Sequence, residues 1–455
     1  HQAFCTSGWA QARPHERSRV LMRVAEGIRA RREELAQWQR RDNGKPINET
    51  RALVDSAAGT FQYMAAACET LEDQLTPQRG PHLTMSVHEP MGVIGAITPW
   101  NSPIASEAQK MAPALAAGNA VVVKPAEITP LMALELARIC EAAGVPRGMV
   151  SVLPGKGSVV GDLLVRHPLV RRISFTGGTT TGRRIAHVAA DKMMPVSLEL
   201  GGKSPTMVLD DADLDHAVAG VLYGIYSSSG ESCIAGSRLF VQRRLYQPFI
   251  ERLVAGARAL RVGDPVSERT QMGPLVSQAH RASVESYVAR GLADGGRLLT
   301  GGQRPEGEGR EHGCYYLPTL IDGLRNEQSI CQEEIFGPVL VAVPFDDEDD
   351  LLAQAARPGS ALAEQTLDWS VTGGGIPGTN AARAADFINV LTGGTSGVYY
   401  PMGVAMSKLF GEKIAGWRDS GLGREKGRLG ILEYMEQKSL YWGLQDAPLP
   451  WATPT

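Results

Sequence analysis

From Gly92 onward the chain settles into a rhythm that few folds permit: short apolar runs, each followed by residues with helical spacing. The runs are Val93–Ile97, Ala120–Val123, Val150–Leu153, Ile173–Phe175 and Val196–Leu200; the first two hold no polar residue, and the others are interrupted only by Ser151, Ser174, Ser197 and Glu199. They predict strands buried on both sides. Between them Leu131–Ala143, Val159–Val165 and Gly182–Ala190 predict helices. The alternation is that of parallel βα units, and an open sheet of such units binds ligands at the carboxyl ends of its strands. The residues just after each run are therefore where chemistry is to be sought.

The remaining chain is read around this region. Val20, Leu21, Val24, Ile28 and Leu35 recur at helical spacing over 16–38 until Asn43-Gly44-Lys45-Pro46 stops them. A second helix is predicted over 52–71 and a half-exposed strand over 83–88. A further α/β region is predicted over 204–344, with helices over 214–227 and 246–260, a turn at Gly295-Gly296 and a helix start in the acidic run 346–350. Beyond Arg357, Gly373-Gly374-Gly375 and Gly393-Gly394 interrupt segments without a clear period, and no element is assigned there. A helix over 430–437 and the apolar run Leu440-Tyr441-Trp442 close the pattern.

At 455 residues the chain exceeds one ordinary core, so two or three domains are expected. A net charge of −3 lacks the basic excess that nucleic acid requires, and no run of about twenty apolar residues could span a bilayer. Neither nucleic acid nor membrane is an expected partner. The start His1-Gln2-Ala3-Phe4 has no charged segment leading into a hydrophobic one, so secretion is not expected, and it reads as a processed, tagged or incomplete terminus. The six cysteines are scattered, without CxxC or Cys/His spacing suited to zinc. No metal is expected, and the thiols predict a reducing, cytoplasmic setting.

After the first strand stands Thr98-Pro99-Trp100-Asn101-Ser102-Pro103. The amide of Asn101 at a strand end could donate to an oxyanion, though a turn asparagine would look the same. After the second stands Lys124-Pro125-Ala126-Glu127, where the amine and carboxylate suit a ribose, or form only an exposed ion pair. A carboxylate there would repel a 2′-phosphate, favouring NAD over NADP. Gly155-Lys156-Gly157 and the turn Phe175-Thr176-Gly177-Gly178 let backbone N–H groups approach a pyrophosphate, without forming a GxGxxG fingerprint. Glu199, ending the fifth run before Leu200-Gly201-Gly202-Lys203, is a candidate general base if burial raises its pKa, or a satisfied ion-pair partner. Cys233, in Gly230-Glu231-Ser232-Cys233-Ile234-Ala235-Gly236, is a thiol among small residues: a reachable nucleophile, or a core cysteine.

These motifs, together with Glu333-Glu334-Ile335-Phe336-Gly337-Pro338, occur in the order and spacing of the aldehyde dehydrogenase superfamily, which the chain resembles to about Val343 and again over Asp419–Glu425. The resemblance implies an α/β fold with a Rossmann-type NAD domain (1–75 and 91–201), a catalytic domain (202–430) and oligomerisation strands (76–90 and 438–446). It implies Cys233 as nucleophile, Asn101 as oxyanion donor and Glu199 as the base that hydrolyses a thioester, setting the chain apart from CoA-acylating members. Lys110 and Glu436 match further active-site residues. Thr98, Pro99, Trp100, Lys124, Glu127, Gly157, Gly161, Phe175, Thr176, Gly177, Gly178, Leu200, Gly201, Glu334 and Phe336 match residues that hold the cofactor. A homodimer or homotetramer is implied. Ser102, Gln109 and Ser227, where many members carry aromatics, imply an aromatic, heterocyclic or polar aldehyde. The family's Tyr-Gly-Leu, Gly-x-Val-x-Val-Asn and Phe-Gly-Gly-Tyr-Lys elements are absent or distorted over 357–417, with Leu409–Lys413 a partial echo. The alternative is therefore an NAD-binding member with impaired catalysis.

Overall fold

The computed structural model describes residues 1–75, 77, 82–307, 310, 313–355, 369–372, 388–390, 431, 432 and 434–443, of which 82, 83, 352, 369–372, 388–390 and 436–443 are described by backbone alone. Leu409–Lys413, Asp419–Glu425 and most of 357–417 lie outside the described residues. In chain order the described strands are β1 Gln74–Leu75, β2 His82–Pro90, β3 Val93–Ile97, β4 Ala120–Lys124, β5 Val150–Val152, β6 Val170–Thr176, β7 Val196–Glu199 and β8 Pro205–Val208. They continue as β9 Arg238–Gln242, β10 Arg297–Thr300, β11 Thr319–Asp322, β12 Val339–Phe345, β13 Trp369–Thr372, β14 Ile388–Val390 and β15 Met435–Gly443.

The five predicted apolar runs are the five strands of one parallel sheet, ordered β5-β4-β3-β6-β7. All five residues of β3 are buried, which is why its sequence has no polar alternation. The chain moves outward from β3 to β5, returns to lay β6 beside β3, and moves outward again. Right-handed crossovers put the helices of the two halves on opposite faces, and the reversal opens a crevice at the carboxyl ends of β3 and β6.

The second sheet is ordered β10-β11-β12-β9-β8-β13-β14, parallel from β11 to β13 with an antiparallel strand at each edge. Alternate residues of β9 enter different cores: Phe240 packs with Met207 and Val341, whereas Leu239 and Val241 pack with Val208 and Leu340. The third sheet is antiparallel, β1-β2-β15, with Met435 opposite Pro90 and Gly443 opposite His82.

Several elements differ from the sequence expectation. The helix expected over 16–38 is two, Pro14–Ala30 and Arg32–Asn43, broken at Arg31 without a glycine or proline. Two helices were not anticipated. In Pro103–Ala116 the polar residues Ser106, Glu107, Gln109 and Lys110 share one face, but all except Gln109 are buried; Gln278–Ala293 has its apolar positions dispersed around the helix. The helix expected over 430–437 gives way to β15 from Met435, where pairing along the whole of β2 overrides local propensity.

Candidate active site

The crevice at the switch point is a cleft of about 240 Å³ whose lining includes Ile97, Lys124, Gly157, Gly161, Phe175 and Arg184. It thus gathers residues from three of the strand-end motifs and the last residue of β3. Glu127 accepts a hydrogen bond from the Gly157 N–H at 2.7 Å, tying the loop after β4 to the short π-helical turn Gly157–Gly161 after β5. The Lys124 amine lies within 4 Å of the space a Gly157 side chain would occupy, and burial lowers its pKa while Glu127 opposes that shift. Gly178 precedes the helix Thr179–Asp191, whose first turn has no acidic residue to offset its positive end. Gly182 allows that helix to close on Leu200, where any side chain would overlap the leucine. An amine, a carboxylate with its second oxygen unused by Gly157, open backbone and a helix N-terminus are a donor set that fits a ribose and its phosphates.

The loop after β7 carries the next group. Gly201 lies against the Glu334 carboxylate so closely that a Cβ would overlap it, and Gly202 N–H donates to Glu334 at 3.2 Å. Burial raises the Glu334 pKa to about 7, against the opposing effects of the Gly202 hydrogen bond and Lys203. Two residues on, Phe336 adopts a left-handed conformation at φ +57° and meets the edge of Trp100 at 5.2 Å between ring centroids. Glu334 and Phe336 thereby connect the β7 loop to the β3 loop.

Cys233 follows three consecutive left-handed residues, Ser228, Ser229 and Gly230, at φ +52°, +56° and +72°. Only glycine enters that region without cost, so the two serines must be held. Glu49 holds Ser228 through its N–H and hydroxyl, both at 2.9 Å, and the Ser229 hydroxyl donates to the Gly273 carbonyl at 3.0 Å. Asn101 reaches the same loop: its Nδ2 donates to the Glu231 carbonyl at 3.0 Å, two residues before the half-buried Cys233. One amide hydrogen remains for another acceptor.

Glu199 ends β7 beside Thr176 and is half-buried; its backbone carbonyl accepts from Gly177 at 3.0 Å. Lys110 is buried beneath the crevice and donates to the Ser174 hydroxyl at 3.0 Å. Glu436 lies in β15 opposite Glu89, and its side chain is outside the described residues.

Sequence reasoning did not single out Glu107, Glu231 or His280. Glu107 is fully buried under β3 and accepts from the Thr98 hydroxyl at 2.8 Å; burial raises its pKa well above the ordinary range. An acid within the apolar stretch Ile104–Met111 was the available signal. Glu231 sat inside the cysteine motif as an unassigned position, and His280 carried no local signal. Among the described residues no cluster of His, Cys, Asp and Glu could hold a metal ion, and no helix is long and apolar enough to cross a membrane.

The aldehyde dehydrogenase family profile matches residues 1–440. The chain is 36% identical to the betaine aldehyde dehydrogenase of Bacillus subtilis (strain 168), covering 99% of this chain and 89% of that one. It is 39% identical to betaine aldehyde dehydrogenase 2 of Rhizobium meliloti (strain 1021), over 96% and 87%. Its fold superposes on an NAD-dependent aldehyde dehydrogenase from Sinorhizobium meliloti with a TM-score of 0.86 at 36% identity, covering 99% of this chain and 86% of the other. For PnpE in complex with nicotinamide adenine dinucleotide the TM-score is 0.87 at 33% identity, over 98% and 88%.

Proposed function

This chain belongs to the aldehyde dehydrogenase family and oxidises an aldehyde to the carboxylic acid with NAD, and we propose that Cys233 carries the reaction as a covalent nucleophile. The observation that supports this most directly is the Asn101–Glu231 hydrogen bond, which brings an amide donor from the end of β3 to the cysteine loop. The Cys233 thiolate attacks the carbonyl carbon. The oxyanion that forms accepts from the remaining Asn101 amide hydrogen and from the Cys233 backbone N–H; losing one such donor typically costs about 10²–10³ in rate. Bound NAD supplies the hydride acceptor, so the carbon is left as a thioester on Cys233. Glu199 takes a proton from water, the hydroxide oxygen adds to the thioester carbon, and the C–S bond breaks to release the acid and restore the thiolate.

Lys124 and Glu127 hold the adenosine ribose, the Gly178 helix end faces the pyrophosphate, and Glu334 and Phe336 hold the nicotinamide ribose and ring. Glu127 disfavours the 2′-phosphate of NADP. Lys110 supports the crevice from below through Ser174, and Glu436 contributes to the path of water or protons. The substrate is a polar, aromatic or heterocyclic aldehyde, because Ser102, Gln109 and Ser227 put hydroxyl and amide groups where many members of the family carry aromatics. The scattered spacing of the six cysteines suits a reducing, cytoplasmic setting.

Purified protein with NAD should form NADH when given a panel of betaine aldehyde, aromatic, heterocyclic and small aliphatic aldehydes, with the aliphatic compounds poorest in kcat/KM. Cys233→Ala should abolish turnover. NADH formation surviving that substitution would sink the mechanism, and aliphatic aldehydes leading the panel would overturn the substrate class.

A further inference from the structure

Behind the nucleophile's loop lies a buried group of charges to which the mechanism gives no part: Lys45, Glu49, Glu231 and, at its edge, His280. Glu231 is 1% exposed and occupies the centre. Its backbone carbonyl accepts from Asn101. Its carboxylate accepts from the Val276 N–H at 2.8 Å, immediately before Ser277, which caps the helix Gln278–Ala293. That helix carries His280, whose Nε2 lies 2.7 Å from the Phe336 carbonyl and 3.8 Å from the Glu231 carboxylate. A carbonyl can only accept, so Nε2 bears the hydrogen and donates it to Phe336. The ring also meets Trp100 edge-on at 5.3 Å.

Lys45 is 3% exposed and its amine makes no hydrogen bond among the described residues, so it acts on Glu231 and Glu49 through charge alone. Burial pushes Lys45 and Glu231 toward their neutral forms, and the charge of each on the other opposes this. Glu49 in turn holds the left-handed Ser228. Glu231 therefore ties three parts together: its backbone carbonyl holds the oxyanion donor Asn101, its N–H donates to the Ser228 carbonyl at 3.0 Å in the strained turn, and its side chain anchors this segment to Val276, beside the His280 ring that meets the aromatic wall.

We propose that Glu231 is a positioning residue for the reaction, setting the Cys233 loop in register with Asn101 and with the Trp100–Phe336 wall. It acts through other residues and touches no reacting atom. The inference rests on the reading of Cys233 and Asn101 given above. An interaction made only in the transition state lowers kcat and kcat/KM together when lost, and residues acting as a unit are non-additive.

Glu231→Ala should lower kcat and kcat/KM by about 30- to 100-fold, no more than loss of one oxyanion donor costs, with the KM for aldehyde changing less than about threefold. Glu231→Gln, which can still accept from Val276, should recover most of that loss. In an Asn101→Ala background the same Glu231→Ala change should cost less than about fivefold, because the residue it positions is already gone. Alkylation of Cys233 by iodoacetamide, followed by the mass of the Cys233 peptide since the exposed Cys5 also reacts, reads the loop's register without NAD; its rate should fall in Glu231→Ala and recover in Glu231→Gln. Should Glu231→Ala fail to fold, Glu231→Asn, too short to reach Val276, takes its place. Unchanged kcat in the folded variant overturns the proposal, as does an undiminished loss in the Asn101→Ala background. Wild-type protein inert toward every aldehyde would instead overturn the underlying reading of the site.

Discussion

If Glu334 holds the nicotinamide ribose as proposed, its burial links protonation to cofactor binding. Its raised pKa means that its contribution to apoprotein stability is present below the ordinary carboxylate range and is lost as pH rises through about 7. Cofactor affinity should move the opposite way, because the ionised carboxylate is the better acceptor for ribose hydroxyls. NAD titrated against protein fluorescence should bind about 10-fold tighter at pH 8 than at pH 6, as a pKa near 7 requires if the ionised form binds. Glu334→Gln should flatten that dependence, and a wild-type affinity independent of pH would refute the assignment. Cys233, Asn101 and Glu334 were legible because short motifs fix their neighbours. Glu231 and His280 were not, since their roles arise from contacts between segments far apart in sequence: Asn101 with Glu231, and His280 with Phe336.

The elements around the site differ in what they tolerate, and two glycines separate the cases. A Cβ at Gly201 would meet only the end of the Glu334 side chain, which can swing aside. Gly201→Ala should therefore keep nearly wild-type thermal stability while raising the KM for NAD about 10-fold, the cost of displacing one charged hydrogen-bonding group. At Gly230 the added carbon would overlap the Gly337 backbone, and φ is +72°. Gly230→Ala should lose more than about 2 kcal/mol, measured by denaturant unfolding, because left-handed strain and a backbone clash combine. Equal effects of the two substitutions on stability would contradict this account. In the sheet β5-β4-β3-β6-β7, β3 and β4 were readable because burial leaves them unbroken apolar runs, and β5, β6 and β7 because isolated polar residues scarcely interrupt theirs. The helix Pro103–Ala116 was missed because its polar residues, Gln109 excepted, are buried like its apolar ones, and long-range pairing converted the expected end-of-chain helix into β15.

At the scale of the molecule, the small sheet offers an open edge on which the proposed assembly can be tested. Among the described residues, β15 pairs along one side with β2 and has no strand on the other. A nine-residue free edge is a template for another chain unless it is covered. Light scattering should give a dimer or tetramer of the 48.8 kDa chain, and a monomer at micromolar concentration would refute the assembly. The same sheet also fixes an order in time. β2 leaves the ribosome well before β15, the last of the described strands. Asn119 likewise waits for the Tyr434 carbonyl, which it meets at 2.8 Å. Domains form as units during synthesis, but a pairing between distant segments must wait for its later half. Translation halted short of Met435 would leave β2 with its long edge open, so a nascent chain is exposed to mispairing until its final strand arrives.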